Sequence, residues 1–299
     1  MSSNQTQHSN SPAVKEPTRS LWAGLVTHHR DIFVSHVLPK LNETDRYFFA
    51  EANTESLELL KYAGVDVSNQ GMSISECSSI STLEWAWDNT EWGGIYYDGT
   101  VKDQAWFCTQ VAATNKLEFL KWAREVKKCE WNEWTINEAV FVGNLEMLEY
   151  CLDNGCPCDE EELCLLAVMN GHRDCVRFLC DRLLFDDFIV SQEMEADFAT
   201  RAAEIGQVDI LKYFVEEREM SDALKAECVT CSVREGRFDC LKYMVEEAEA
   251  PLDNWENIAH AWYGEYSDCL NYLREKGCPE PTEEQYERFE RHFERHNIY

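Results

Sequence analysis

Cysteine and histidine pairs at metal-ligand spacing are the residues of this chain whose types could carry chemistry. The Cys228–Cys231 pair has CxxC spacing, the Cys156–Cys158 pair has CxC spacing, and His292–His296 places two histidines four residues apart. A structural zinc site needs four thiolate or imidazole ligands, and no second cysteine pair lies at zinc-ribbon spacing. A zinc protease needs glutamate directly after the first histidine, whereas Phe293 occupies that position. We therefore expect no metal site and no cofactor.

The common enzyme motifs are also missing from the sequence. It contains no phosphate-binding loop, no dinucleotide-binding glycine pattern and no G-x-S-x-G nucleophile elbow. Six of the fourteen cysteines fall at two positions of a repeated unit, namely Cys175, Cys240 and Cys269 at one and Cys129, Cys156 and Cys278 at the other. Cysteine at such positions behaves as a small hydrophobic residue. We expect these thiols to be buried and the protein not to be an enzyme.

One short pattern returns six times between Leu117 and Asn271, and it predicts the elements of the fold. An acidic residue marks each copy, at Glu118, Glu146, Asp174, Asp209, Asp239 and Asp268, in steps of 28, 28, 35, 30 and 29 residues. An aliphatic residue follows two positions after this marker acid, and an aromatic residue follows four positions after it. A small or β-branched residue lies seven positions before it. Periods of about 20 to 50 residues are typical of stacked arrays.

The copy from Trp134 to Gly155 predicts two short helices. Apolar residues at helical spacing mark a first helix over Trp134–Val142 and a second over Leu145–Leu152. Gly143 separates them, because glycine readily adopts the left-handed conformation of a helix C-terminus. Helices of about nine residues are marginal alone in water, so these must be stabilised by packing.

This unit resembles the ankyrin repeat. The residues that match the family's T-P-L-H-x-A-A-x-x-G-H and terminal G-A motifs are Ile136, Asn137, Ala139, Gly143, Asn144 and Gly155, and Gly171-His172 reproduces the G-H pair. The resemblance covers Thr82 to Pro279, although no copy has the full T-P-L-H and most are shorter than the family's ~33 residues. It implies an all-α, helix-turn-helix solenoid with N- and C-terminal helical caps and with loops in place of β-hairpins. The 35-residue step predicts a longer finger at Leu183–Glu193.

The expected domain order is tail, helical module, irregular segment, repeats and cap. These correspond to a disordered polar tail at 1–22, a helical N-terminal module at 23–65, an aromatic-rich irregular segment or partial repeat at 66–107, ankyrin-like repeats at 108–280 and a C-terminal capping helix at 281–299. In the last helix, Thr282 and Gln285 form a predicted capping box. Tyr286, Phe289 and Phe293 share one face of it.

The N-terminal module has two interpretations. It is weakly similar to the F-box at Val37, Leu38, Leu41, Asp45, Phe48 and Asn53. This resemblance implies an adaptor that docks on a ubiquitin-ligase subunit, with Val37, Leu38 and Leu41 as a partly exposed patch. However, Leu57–Tyr62 copies the second helix of the repeat, which indicates a divergent repeat that caps the array. In that case Leu38 and Leu41 are buried against the Trp85–Trp106 segment.

The balance of charge indicates which partners the chain can have. With 56 acidic and 27 basic residues the formal net charge is −29. This charge disfavours nucleic acid, which needs a basic surface, and favours a protein partner with a basic surface. There is no signal-peptide core and no apolar run of the ~18 residues that a membrane span needs. We expect a monomer in the cytoplasm or nucleus, with reduced thiols.

The resemblance to ankyrin repeats also predicts where a partner binds. In that family the concave face is lined by the first helices and the loops that precede them. The residues predicted to contact the partner are Glu133, Phe141, Val142, Glu160, Glu161, Met169, Asn170, Glu204, Ile205 and Arg234. The apolar members stand at positions where solvent favours polar residues. The sequence thus predicts a non-catalytic protein-protein interaction scaffold, with an F-box-type substrate adaptor of a ubiquitin ligase as the alternative.

Overall fold

The structure is a computed structural model that describes residues 29–66, 71–95, 99–183 and 188–296. In these ranges the protein is all-α, and the single β-bridge, between Ile95 and Val101, is isolated. None of the helices in the described ranges is both long enough and apolar enough to cross a membrane. The chain divides into two compact units, Met1–Thr90 and Glu91–Tyr299, and the division falls inside the segment 66–107. The predicted tail at 1–22 lies outside the described residues.

The first unit consists of short helices. Their bounds are Arg30–Ile32, a π-helical turn at Phe33–Val37, 3-10 turns at Leu38–Lys40 and Ile74–Glu76, and α-helices at Glu43–Ala52, Thr54–Tyr62 and Ile80–Asn89. The side chains of Asn42 and Asn53 accept hydrogen bonds from the backbone at the starts of Glu43–Ala52 and Thr54–Tyr62. These asparagines set the helix starts, because the first backbone N–H groups of a helix otherwise lack partners.

Leu38 lies in the core of this first unit. It is 5% exposed and belongs to one buried cluster with Phe33, Phe49, Leu59 and Leu60. The neighbouring Val37 and Leu41 are half-buried against the same cluster. The exposed patch that the F-box interpretation predicts is therefore wrong at Leu38. The buried residues of its cluster all belong to helices of the same unit.

The described part of the second unit contains six successive helix pairs. Pair 1 is Gln104–Ala112 and Leu117–Lys121, and a π-helical turn at Trp122–Val126 continues its second helix. Pair 2 is Glu133–Phe141 and Leu145–Asp153, pair 3 is Glu160–Met169 and Arg173–Leu183, and pair 4 is Phe188–Ile205 and Val208–Glu217. Pair 5 is Asp222–Arg234 and Phe238–Glu246, and pair 6 is Glu256–Tyr263 and Ser267–Glu275. Each first helix contacts the first helix of the next pair, and each second helix contacts the next second helix. The helices therefore form two adjacent rows.

The repeated positions of the sequence pattern have equivalent places in these helix pairs. Every marker acid is an exposed residue in the first turn of a second helix, where a negative charge interacts favourably with the helix dipole. The small residue seven positions before it is buried in all six pairs. Tyr150, Phe178 and Tyr213 lie in the second helices of pairs 2, 3 and 4, as the pattern predicts.

A left-handed residue joins the two helices of every pair. It stands three positions before the marker acid and is Asn115, Gly143, Gly171, Gly206, Gly236 or Glu265, with φ between 57° and 92°. In pairs 2 to 6 the following backbone N–H bonds the carbonyl of the buried small residue, for example from Asn144 to Ala139 at 3.0 Å. This bond closes the C-terminus of the first helix and starts the return chain. The turn therefore explains both the left-handed residue and the buried small residue of each of these pairs.

The long step between pairs 3 and 4 is accommodated by a longer helix. The predicted finger at Leu183–Glu193 is wrong for residues 188–193, because the first helix of pair 4 begins at Phe188 and runs 18 residues to Ile205. That stretch has no glycine or proline that would stop a helix. Glu195 in this helix pairs with Arg218, which also reaches Asp181 at 3.2 Å.

The last helix, Glu283–His296, begins at the predicted capping box. The backbone N–H of Gln285 bonds Thr282 Oγ1 at 3.3 Å, and the N–H of Thr282 bonds Gln285 Oε1 at 2.8 Å. Phe289 is buried, with its ring edge-on to His260 at 4.8 Å. Tyr286 stands edge-on to Trp262 of pair 6 at 5.3 Å. The side chain of Phe293 lies outside the described residues.

Candidate protein-interaction surface

The ten predicted contact residues all lie on the first helices of pairs 2 to 5 or on their caps. In pair 2, Glu133 is the first residue of the helix, Phe141 is the last and Val142 is the C-cap. In pair 3, Glu160 and Glu161 begin the helix, Met169 ends it and Asn170 is the C-cap. Glu204 and Ile205 end the first helix of pair 4, and Arg234 ends the first helix of pair 5. Because the first helices contact one another in order, the structure brings these residues onto one row of helices.

Each first helix has a buried side and an accessible side. The residues 11, 10, 7 and 6 positions before the marker acid are buried in every pair, except for Trp262 in pair 6. The residues 12, 8 and 5 positions before it are separated by four and three residues, so they lie along one side of the helix. We call this side the outer stripe. Its members are exposed or half-buried in all pairs, except for the buried Cys231.

Three large apolar side chains are exposed on the outer stripe of pairs 2 and 3. Trp134 is 60% exposed, Phe141 is 56% exposed and Met169 is 54% exposed. Trp134 and Phe141 are two helical turns apart on one helix, and Met169 occupies the position of Phe141 on the next. Half-buried Leu166 continues the apolar surface on the helix of Met169. We call this surface the apolar corner. Three large apolar side chains exposed on adjacent helices make this surface a candidate for an interface.

The backbone beneath the apolar corner is held in place by the next pair. Nε2 of His172 lies 2.9 Å from the carbonyl oxygen of Phe141, and the amide of Gln207 donates to the carbonyl of Met169 at 3.5 Å. The ring of His172 also covers Gly143, where any Cβ would lie 2.4 Å from it. These contacts fix the helix ends that carry Phe141 and Met169. The surface is therefore preformed, and a preformed surface has a lower ordering cost on binding.

Carboxylates surround the apolar corner. Glu133, Glu160 and Glu161 are exposed at the starts of the two helices. The last two also stabilise their helix end, where a negative charge is favourable. Glu138 lies between Trp134 and Phe141 on the outer stripe and is half-buried, and this burial raises the pKa of its carboxyl group. A cation that approaches the corner would find acidic groups on two sides.

The predicted residues of pairs 4 and 5 have a different environment. Glu204 forms ion pairs with Arg201, at 3.0 Å, and with Arg234, and its carbonyl accepts a hydrogen bond from Arg237 at 2.8 Å. These charges largely neutralise one another, so this part of the surface would attract a charged partner less strongly. Ile205, like Val142 in pair 2, is half-buried and not freely exposed to solvent. A residue one position beyond the stripe is rotated by about 100° towards the neighbouring helices.

Neither a protein-family model nor a curated protein sequence matches this chain.

Sequence reasoning missed Trp134 and Leu166 as members of the surface. The signal was present, since Trp134 precedes Phe141 by seven residues, which is two helical turns. Glu133, which was predicted, is the immediate neighbour of Trp134 and lies at the edge of the stripe. The two apolar residues therefore belong with Phe141 and Met169 in the candidate site.

The cysteines take structural positions in the described ranges. Cys129, Cys156 and Cys278 each direct their thiol at the backbone carbonyl at the start of the first helix of the same pair, namely Gln104 at 3.0 Å, Asn132 at 3.3 Å and Asn254 at 3.4 Å. Burial raises the pKa of Cys175 to about 11 and that of Cys240 to about 12, so their thiolate forms are scarce at neutral pH. No three histidine, cysteine or acidic side chains in these ranges are grouped in a way that could hold a metal ion.

Proposed function

We propose that this chain is a non-catalytic protein-protein interaction scaffold. In this proposal the six helix pairs form an ankyrin-like solenoid, and the outer stripe of the first helices is its concave, partner-binding face. The two rows of helices and the repeated left-handed turn support the ankyrin-like arrangement. The resemblance of Gly143-Asn144 and Gly171-His172 to the family's turn motif supports it from the sequence.

The apolar corner is the observation that carries the proposed function. Large aromatic and flexible apolar side chains supply much of the energy of protein interfaces when a partner buries them. At about 25 cal/mol per Å² of apolar surface, leaving Trp134, Phe141 and Met169 in water forgoes several kcal/mol. The rigid turn beneath them holds this apolar surface ready for a partner.

A protein partner with a basic surface fits the charges around the corner. The net charge of −29 attracts a basic protein over long distances and repels a phosphate backbone. The same charge disfavours close association of two copies, so the proposal is a monomer. The composition, with fourteen cysteines, supports a cytoplasmic or nuclear location. The ubiquitin-ligase alternative needed an exposed Leu38, and no observation now favours it.

The test compares partners captured by crosslinking with the full chain and with a Phe141→Ser/Met169→Ser variant. The proposal expects at least one protein to be lost with the variant and to bind the purified wild-type chain directly. Val126→Ser is the matched control, because Val126 is 65% exposed at the end of pair 1, away from the outer stripe. Equal unfolding midpoints for all three chains would show that folding is unaffected. Partners that bind both variants equally would refute a binding site on the outer stripe.

A further inference from the structure

The outer stripe changes character from one end of the row of first helices to the other. At the position 12 residues before the marker acid, pair 2 has the exposed Trp134, and the four following pairs all have an exposed carboxylate. These carboxylates are Glu162, Asp197, Glu227 and Glu256. The face is therefore apolar at the corner and acidic along one line that starts from it. We call the four residues the carboxylate line.

The favourable interaction of acidic residues with the helix dipole accounts for only part of the carboxylate line. Glu162 and Glu256 stand in the first turn of their helices, where an acidic residue stabilises the helix. Asp197 is the tenth residue of Phe188–Ile205, and Glu227 is the sixth residue of Asp222–Arg234. The helix dipole has little effect so far from the first turn. Two of the four carboxylates thus stand on the line without a helix-stabilising reason.

The carboxylates of the line have their charge available for a partner. In the described ranges none of the four forms an ion pair, whereas Glu204 on the same stripe is paired with Arg201 and Arg234. The line also continues directly from the apolar corner, since Trp134 occupies the same helical position one pair earlier. An occupant of the corner therefore extends naturally along the acidic residues.

The spacing of the helices sets the spacing of the groups that fit. Packed helices lie about 8–10 Å apart, and a chain in the extended polyproline II conformation advances about 3.1 Å per residue with three residues per turn. Such a segment crossing the first helices therefore has every third side chain on the same side, about 9 Å further on and above a new helix. We propose that the outer stripe binds an extended, basic protein segment in the polyproline II conformation, with bulky apolar residues on the corner and Lys or Arg at every third position along the carboxylate line. This inference rests on the proposed function and names the chemistry of its partner.

Synthetic peptides test the spacing directly. The first peptide has a Leu-Trp pair followed by four lysines at every third position, one for each carboxylate of the line, with neutral residues between them. A second peptide has the same composition with the lysines at every second position, and a third has glutamate in place of lysine. Fluorescence anisotropy with the full chain measures each affinity. The proposal expects the first peptide to bind about tenfold more tightly than the second, and the third not to bind.

Variants of the protein locate the bound peptide. Asp197→Asn/Glu227→Gln should weaken the first peptide about tenfold, because each exposed ion pair contributes a factor of roughly two to five. Glu149→Gln/Glu247→Gln is the matched control: it changes the net charge equally, and both residues are exposed in or just after second helices. The control should change the affinity less than about twofold. Equal losses in the two double variants would mean that only net charge matters, and would overturn the proposal.

Other outcomes separate this inference from the function on which it rests. If no peptide binds, or if the second binds as well as the first, the inference is wrong. The proposed scaffold function would still stand if an identified protein depends on Phe141 and Met169. Sedimentation of the full chain adds a further check: a dimer that Phe141→Ser/Met169→Ser dissociates would make a second copy the occupant, and the inference would then fail.

Discussion

At the scale of single residues, the hydroxyl of Tyr213 is a buried polar group that the fold does not satisfy. The side chain is 1% exposed, and its hydroxyl has no hydrogen-bond partner in the described ranges. The equivalent position of pair 3 is Phe178, so the site accepts a ring without a hydroxyl. We expect Tyr213→Phe to raise the free energy of unfolding by about 1 kcal/mol, since an unsatisfied buried group is removed.

Urea denaturation measures this effect, and Tyr150→Phe is its control. Tyr150 occupies the same position in pair 2, but its hydroxyl donates to Glu125 at 3.2 Å. That substitution removes a hydrogen bond and should be neutral or slightly destabilising. A loss of stability in Tyr213→Phe would show that the hydroxyl is in fact satisfied.

Glu138, a residue of the candidate site, should make the stability of the protein depend on pH. Burial raises its pKa above the ordinary value of 4.5, so folding opposes its ionisation. Because the pKa is higher in the folded state than in the unfolded state, the wild-type carboxyl destabilises the folded state at pH values above 4.5, pH 7 included. We expect Glu138→Gln to be more stable than the wild type at pH 7. This advantage should vanish as the pH falls through the raised pKa towards 4.5, because the wild-type carboxyl then becomes neutral.

Parallel urea titrations at several pH values test this expectation. Glu133→Gln is the control, since Glu133 is exposed on the same helix and should give no such stabilisation at pH 7. An advantage of Glu138→Gln that does not change with pH would show that the amide packs better, and would argue against a desolvated carboxylate beside the apolar corner.

At the scale of elements, the turn glycines connect one pair to the next. Gly143 and Gly155 have nearly the same left-handed backbone, with φ of 70° and 71°. A Cβ at Gly143 would meet the ring of His172, whereas a Cβ at Gly155 would meet no atom within 4 Å. Gly155→Ala should therefore cost only the backbone strain, about 1–2 kcal/mol. Gly143→Ala should cost about 1–3 kcal/mol more, as in other overpacked sites.

A double-mutant cycle separates the clash from the strain. Chemical denaturation of Gly143→Ala, His172→Ala and the double variant gives the coupling between the two residues. We expect His172→Ala to recover part of the stability lost in Gly143→Ala, since it removes the ring that the Cβ meets. Equal costs of Gly143→Ala and Gly155→Ala would mean that the ring does not hold the turn.

The elements of the second unit were predictable because their signals are local. The turn before the marker acid of pair 2 requires a left-handed residue, and Gly143 supplies it; the acid Glu146 stabilises the helix that follows. Such short-range requirements repeat in every pair. The start of the long helix at Phe188 was not predictable in this way, because the extra residues carry no stop signal and their length alone suggested a loop.

The candidate site was predictable only in part, because exposure depends on packing between helices. Phe141 and Met169 were identified from their position before the turn, and both are exposed. Val142 and Ile205 follow or end the same helices, but they are half-buried by the neighbouring elements. Trp134 is not among the residues that the resemblance to ankyrin repeats predicts at the partner surface. Only the three-dimensional arrangement shows that it shares the outer stripe with Phe141.

At the scale of the whole molecule, charge and apolar surface contribute to different steps of binding. In the proposed function, the net charge of −29 acts over long distances and would accelerate the encounter with a basic partner. The apolar corner would act only after contact, when a partner removes Trp134, Phe141 and Met169 from water. Electrostatic complementarity therefore governs the association rate, whereas buried contacts govern the dissociation rate.

This separation predicts how salt changes the binding kinetics of the first synthetic peptide, which has lysine at every third position. Raising the ionic strength to about 0.15 M shortens the screening length to ~8 Å, so the association rate constant should fall while the dissociation rate constant changes little. Phe141→Ser should do the reverse: faster dissociation, with an unchanged salt dependence of association. Stopped-flow fluorescence of a labelled peptide measures both constants. An association rate that is independent of salt would show that the charge of −29 does not recruit this partner, and that its acidic residues serve only to keep the surface hydrated.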